Sequence, residues 1–143
     1  MTHPAIATLI PHRPPMLLVD EVIDHEGLRV TCRTTIRDDM PFVSNGEVPL
    51  LVALELFAQS ACTLVSLLAS RSGTAMQSGA FLGTRTVTLR SDCLRVGDVV
   101  DVHCEERMAI GPAAQIECRL VRRGETLAEG SINVMAGALG ARP

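Results

Sequence analysis

The sequence predicts an α+β domain in which an antiparallel sheet covers one long, buried helix. Three observations carry this. The run from Pro49 to Ala69 is apolar almost all round and contains no Gly and no second Pro. The segments on either side alternate apolar and polar residues with the two-residue period of half-exposed strands. Clusters of Gly, Asn and Pro punctuate those segments as turns. Strand runs with a single helix among them favour an antiparallel sheet packed on one element over an alternating βαβ stack.

In chain order, residues 1–10 form a short lead-in with a helical turn. Pro11-His12-Arg13-Pro14-Pro15 is too rich in proline for a helix or a central strand, so it is an irregular entry with fixed φ angles. Residues 16–23 are apolar enough for a short buried strand, and 24–27 for a turn. Next, Leu28, Val30, Cys32, Thr34 and Ile36 alternate with Arg29, Thr31, Arg33 and Thr35, so the two strands pair as a hairpin. A loop over 38–48, with Pro41, Asn45 and Gly46, delivers the chain to the helix, whose first position suits the fixed φ of Pro49. A polar connector over 70–79 follows. Four strands complete the chain, over 80–90, 99–108, 113–121 and 126–136. Turns fall at Leu94-Arg95-Val96-Gly97-Asp98 and at Arg122-Arg123-Gly124-Glu125, where Gly124 supplies a positive φ. Residues 137–143 are small and polar and are expected to fray. The whole of 1–143 reads as a single domain with a structured core over about 9–136.

Composition excludes several classes. The 47% hydrophobic content fits a packed core, and a net charge of −3 gives no reason to expect a polyanion partner. Three Phe and no Trp or Tyr leave no base-stacking platform, so nucleic-acid binding is disfavoured. The five cysteines are scattered, with no C-x-x-C pair, and read as small hydrophobes on inward faces. No metal-ligand cluster or nucleotide motif stands out, so no cofactor is expected. The first residues lack a basic stretch leading into an apolar run, which points to a reduced, cytoplasmic compartment. The helix is long enough to span a bilayer, but a soluble domain around it and the lack of a basic flank argue for a core helix and no membrane span.

Glu55 is the one charge inside that apolar rod, and Gln59 and Thr63 follow it at i+4 and i+8 as a narrow polar stripe. A carboxylate in a dry helix is costly to ionise, so a raised pKa and an acid–base role are expected for Glu55, with a structural cap as the alternative. An apolar-all-round helix also needs cover on the side away from the sheet. A second subunit, identical or related, is expected to supply it.

Three landmarks in this order resemble the hot-dog fold, and within it the β-hydroxyacyl-(acyl-carrier-protein) dehydratases. Pro11 to Val22 is similar to the family's P-H-R-x-P-x-L-L-V-D-x-V opening. Glu55-Leu56-Phe57-Ala58-Gln59 is similar to the E-A-M-A-Q of its central helix, and Leu94 to Asp98 to its later P-G-D turn. One landmark is missing. Fourteen residues ahead of Glu55, where the family carries the histidine of G-H-F-P-G, stands Pro41. The local P-F-x-x-x-G-x-V-P resembles a divergent branch found in aryl-polyene and related pathways.

The resemblance implies elimination of water from a 3-hydroxyacyl thioester on an acyl carrier protein, with Glu55 acting on the 3-hydroxyl. His12 is the candidate replacement base, and a structural role for it is the alternative. Backbone N–H groups near Leu50 and Leu51, at the start of the helix, are candidates to polarise the thioester carbonyl. Gln59, Asn45 and Gly46 are further candidate substrate contacts. Asp20 is expected to make structural hydrogen bonds and Arg13 to pair with it or to meet a phosphate. Arg85, Arg90, Arg95, Arg107, Arg119, Arg122 and Arg123 are a candidate docking patch for an acidic carrier, or a solvated face. Two other functions remain open at this stage. One is a thioester hydrolase on the same fold, and the other is a non-catalytic hot-dog subunit that completes or scaffolds an active dehydratase. Either a homodimer or a heterodimer fits.

Overall fold

A computed structural model describes residues 2–71 and 79–136. The elements are β1 (Glu21–Glu26), β2 (Arg29–Thr35), β3 (Glu47–Pro49), α1 (Ala53–Arg71), β4 (Gly79–Leu89), β5 (Cys93–Arg95), β6 (Val99–Ile110), β7 (Ala113–Arg122) and β8 (Glu125–Ala136). Six strands form one antiparallel sheet in the order β1-β2-β6-β7-β8-β4, and β3 pairs with β5 in a separate two-stranded ladder. The helix lies on one face of the large sheet, in contact with β2, β6, β7 and β8. This is the hot-dog arrangement.

The core follows from the alternation. Val30, Cys32 and Thr34 of β2, Val100, Val102 and Cys104 of β6, and Ile116, Cys118 and Leu120 of β7 all turn toward the helix and are buried. They meet Leu56, Phe57, Ala61 and Leu64 of α1, each fully enclosed. Burying a side chain of the Leu or Phe size contributes about 1.5–3 kcal/mol, so this layer is the main source of stability. The lead-in also belongs to the core, since Ile6, Leu9 and Ile10 are buried.

Several boundaries differ from expectation, each for a physical reason. The first strand runs over Glu21–Glu26 rather than 16–23, because Met16 to Val19 takes its hydrogen bonds from a helix side chain instead of a neighbouring strand. Pro49 does not open the α-helix. It ends β3 and caps a 3-10 turn over Leu50–Val52, in extended backbone at ψ 142°. The loop before the helix and the turn at Leu94 contain the short strands β3 and β5, so five strands rather than four follow the helix and β3 lies just ahead of it. In β4 the even alternation is interrupted by irregularities at Phe81/Gly83 and Thr84/Val87. The turn at Arg123 and Gly124 is as expected, with φ of 51° and 79°. Residues 72–78 of the expected connector and the tail 137–143 lie outside the described residues.

The helix is not covered all round. Its buried face includes Ala53, Leu56, Phe57, Ser60, Thr63 and Leu64, while Leu54, Glu55, Ala58, Cys62 and Val65 are only half-buried. These five lie along one stripe at helical spacing. By length and composition Leu50–Arg71 is apolar enough to cross a bilayer, but 67% of its 18-residue apolar window is buried inside the protein.

Candidate active site

Two segments that the sequence separates by more than forty residues meet at the open side of the helix. The first is the proline-rich turn that carries His12. It braces itself: the Arg13 guanidinium donates to the carbonyls of Ile10 (2.9 Å) and His12 (2.7 Å), and the amides of Met16 and Leu17 return to the Arg13 carbonyl. The second is the first full turn of α1, which carries Glu55 on the half-buried stripe. His12 Nε2 stands 3.8 Å from Glu55 Oε1, too far for a hydrogen bond, and both side chains are about a third exposed (29% and 34%). The carboxylate is therefore not stranded in a dry interior.

Gln59 joins the two segments. It is fully buried, and its amide uses all four of its hydrogen-bonding positions. Its oxygen accepts from the amides of Leu18 (2.9 Å) and Val19 (3.2 Å). Its nitrogen donates to the Met16 carbonyl (2.7 Å) and to Glu55 Oε1 (2.9 Å). Thr63, the third member of the polar stripe, turns back to the Gln59 carbonyl at 2.8 Å. Gln59 thus has no surface to offer a substrate, and its expected role as a substrate contact is replaced by a bond to the carboxylate itself.

The helix start is divided in its roles. The Leu50 amide donates to the Asp92 carbonyl at 2.9 Å, so it is spent, and the Leu50 side chain is buried. That corrects the expectation of a free donor at Leu50. Leu51 occupies the next position of the 3-10 turn, where helical geometry supplies no acceptor, and its side chain is 60% exposed. Met16 and Leu51 place exposed apolar surface on the two elements that carry His12 and Glu55.

Asn45 and Gly46 are the two central residues of a tight turn, both at positive φ (54° and 77°), closed by paired hydrogen bonds between Ser44 and Glu47. Gly46 then accepts from the Val96 amide. The structure gives this pair the work of holding β3 against β5 and so of fixing where the helix starts. Asp20 caps the start of the following loop, accepting from the Thr35 amide (2.8 Å) and the Arg37 guanidinium (2.6 Å). Arg37, not Arg13, is therefore its partner.

Most of the arginines considered for carrier docking are already matched. Arg90 pairs with Glu129, Arg95 with Glu47, Arg107 with Glu105 and Glu117, and Arg122 with Asp98. They form a laced polar face rather than a cationic patch. A concavity of about 1360 Å³ opens on the far face of the sheet, among Thr31, His103, Arg119 and Glu129, away from Glu55. His103 there is hydrogen-bonded to Thr31 at 2.9 Å, and burial together with Arg119 holds its pKa below the ordinary value. Cys32 and Cys62 are pushed up by burial, to about 12 and about 11, so both are thiols and poor nucleophiles at neutral pH. Among the described residues no group of three His, Cys, Asp or Glu side chains is gathered for a metal ion.

The sheet wrapped on one helix, with a lone carboxylate on the helix's open stripe beside an imidazole, defines a hot-dog protein of the dehydratase type. A family model described as ApeP-like, ApeP dehydratase, matches residues 4–140, and the chain belongs to that family. It is accordingly a dehydratase, a hydro-lyase, and the hydrolase alternative falls away. Among curated proteins it is similar to the 3-hydroxyacyl-[acyl-carrier-protein] dehydratase FabZ of Ruminiclostridium cellulolyticum, 28% identical over 138 residues, which is 92% of this chain and 94% of that one. The FabZ of Allorhizobium ampelinum is 27% identical over 133 residues, 91% of this chain and 86% of that protein. Among solved structures, the dehydratase heterocomplex ApeI:P from Xenorhabdus doucetiae has a chain with the same fold, at a TM-score of 0.90 and 23% identity over 97% of this chain and 95% of that one.

Proposed function

We propose that the protein eliminates water from a 3-hydroxyacyl thioester carried on an acyl carrier protein, leaving a 2-enoyl thioester, with Glu55 as the acid and His12 as the base within this chain. The observation that carries this reading is the facing pair itself, 3.8 Å apart and open to solvent on the same side. The bonds that break, C2–H and C3–O, are on adjacent carbons, so acid and base must approach one small unit from close range. Glu55 gives its proton to the departing 3-hydroxyl, which leaves as water, while His12 Nε2 takes the C2 proton and the freed pair forms the double bond. The Leu51 N–H, at the positive end of the helix, is the donor proposed for the thioester carbonyl. A cytoplasmic location accompanies this reading, supported by the packing of the helix into the core.

A second reading, in which another hot-dog subunit supplies the base, is favoured by a specific observation. A base that presents a bare Nε2 carries its proton on Nδ1, and His12 Nδ1 is buried with no hydrogen-bond partner among the described residues. The half-buried stripe of Leu54, Ala58, Cys62 and Val65 beside Glu55 is the surface such a subunit would cover.

Single-turnover hydration of a crotonyl thioester separates the two. On the first reading the purified chain is active alone, and Glu55→Gln and His12→Ala each lose activity by a factor of about 100 or more with unchanged melting temperature. Activity that needs an added hot-dog partner, survives His12→Ala and is still lost in Glu55→Gln supports the second. Full turnover in Glu55→Gln would rule out both.

A further inference from the structure

We infer that Gln59 decides which oxygen of Glu55 carries the transferable proton, holding Oε1 as an acceptor and leaving Oε2 as the acidic oxygen. The inference rests on the reading of Glu55 as the acid. It starts from the Gln59 amide, whose orientation is not free. The amides of Leu18 and Val19 both point at one of its terminal atoms, and only an oxygen can accept from two donors. The other terminal atom is therefore the NH2 group, with one hydrogen toward the Met16 carbonyl and one toward Glu55 Oε1. Turning the amide over would set donors against donors and an oxygen against two acceptors, at a site that is fully buried.

A proton on Glu55 Oε1 would face the hydrogen of that NH2 group, whereas a proton on Oε2 faces nothing of the kind. Protonated Glu55 thus keeps Oε1 as the carbonyl-like oxygen bonded to Gln59 and presents Oε2–H outward. When Oε2–H gives its proton to the 3-hydroxyl, the C3–O bond breaks and water leaves. The resulting carboxylate keeps its bond to the Gln59 N–H. Gln59 touches no substrate in this account and is a positioning residue. By tying Met16, Leu18 and Val19 to the helix it also sets the distance from Glu55 to the His12 segment.

The test uses Gln59→Glu, which keeps the oxygen that Leu18 and Val19 need and replaces the donor by a second oxygen. The titratable group bonded to position 59 is Glu55, and His12 from the proline-rich turn stands 3.8 Å from the same Glu55 oxygen; the other hydrogen-bond partners of Gln59 among the described residues are backbone. Ionised, the new carboxylate opposes Glu55 Oε1, and protonated it can donate again. Burial and the neighbouring carboxylate both raise its pKa. Relative to the unmodified protein at each pH, kcat for thioester hydration should be about 10- to 100-fold low in mildly alkaline buffer, with KM little changed, and should recover in mildly acidic buffer. A purely structural Gln59 would give a ratio that does not depend on pH.

A second arm needs no activity. Gln59→Glu should lower the melting temperature, and adding Glu55→Gln should restore part of the loss, because donor and acceptor are then exchanged across the bond to position 55 while the Met16 carbonyl stays without its donor. A pH-independent rate ratio in a protein whose activity requires Glu55 overturns the inference while leaving the acid reading intact. So does a double variant no more stable than Gln59→Glu alone. An unmodified protein inactive both alone and beside a hot-dog partner overturns the acid reading, and the proton assignment with it.

Discussion

Phe42 sits at φ 74° with 61% of its surface exposed, a conformation that a bulky side chain adopts at a cost. It is the third residue of the Met40-Pro41-Phe42-Val43 turn, closed by the Val43 amide on the Met40 carbonyl, a place that glycine ordinarily fills. The strain is worth about 1–2 kcal/mol, against about 0.5–1 kcal/mol for the greater freedom of glycine in the unfolded chain. Phe42→Gly should therefore raise stability by about 0.5–1 kcal/mol in urea unfolding; a loss of stability would mean that the ring packs against something essential. Pro41 announced a turn in the sequence, but nothing in a phenylalanine announces a positive φ. Asp98 behaves in the opposite way, as a residue whose setting stabilises its charge. Burial alone would raise its pKa, but the Arg95 amide (2.9 Å) and the Arg122 guanidinium (3.0 Å) outweigh that and hold it below the usual 3.8. A depressed folded-state pKa contributes stability that is present above the unfolded value and is lost as pH falls through the folded one. The melting-temperature difference between the protein and Asp98→Asn should accordingly be constant at neutral pH and shrink below pH 3.8. A difference that grows on acidification would contradict the assignment.

At the scale of elements, the helix and the long strands were legible because their periodicity is long enough to count. β6, β7 and β8 are ten or more residues long, and each alternates against one core over part of that length, as Val100, Val102 and Cys104 or Ile116, Cys118 and Leu120 do. The helix α1 is a mostly apolar run with no Gly or Pro. The three-residue strands β3 and β5 show no period at all, and only their pairing with each other makes them strands. Met16 to Val19 misled for a related reason. An extended apolar run looks the same whether its amides bond to a strand or to the side chain of Gln59. Apolar character all round the helix likewise concealed which face Gln59 occupies, although its i+4 spacing from Glu55 was plain. The irregularities of β4 were hidden too, but they leave one sharp constraint. A Cβ on Gly130 would lie 2.6 Å from the Thr86 carbonyl oxygen and 2.9 Å from Val87 Cγ2. Backbone cannot yield as a flexible side chain does, so Gly130→Ala should part β4 from β8 and cost about 1–3 kcal/mol in urea unfolding. The nearby Ser131→Ala, with its side chain outside that contact, should cost much less.

At the scale of the whole molecule, two unsatisfied features point to association. The sheet ends at β1 on one side, six residues long and carrying Glu21, Asp24 and Glu26, and at β4 on the other, eleven residues with no acidic side chain. Short edges with several charges resist pairing with another chain, and a long edge whose one charged residue is Arg85 resists it less. The helix, meanwhile, shows the half-buried stripe of Leu54, Ala58, Cys62 and Val65, with Glu55 among them. A second hot-dog subunit that continues the sheet from β4 would bring its own helix over this stripe and enclose Glu55. The consequence is that activity and assembly should fail together in a variant that leaves every candidate catalytic group in place. In Val65→Arg the long charged side chain can reach water in a lone subunit, so the fold and its melting behaviour should largely survive. In an assembly the same charge is buried without a partner, at a cost of several kcal/mol. Sedimentation should then show the unmodified protein as a dimer, with itself or with a related subunit, and Val65→Arg as a folded monomer without hydration activity. A Val65→Arg protein that is monomeric yet fully active would place the complete site within one chain. The open stripe would then be no more than the wall of a substrate groove.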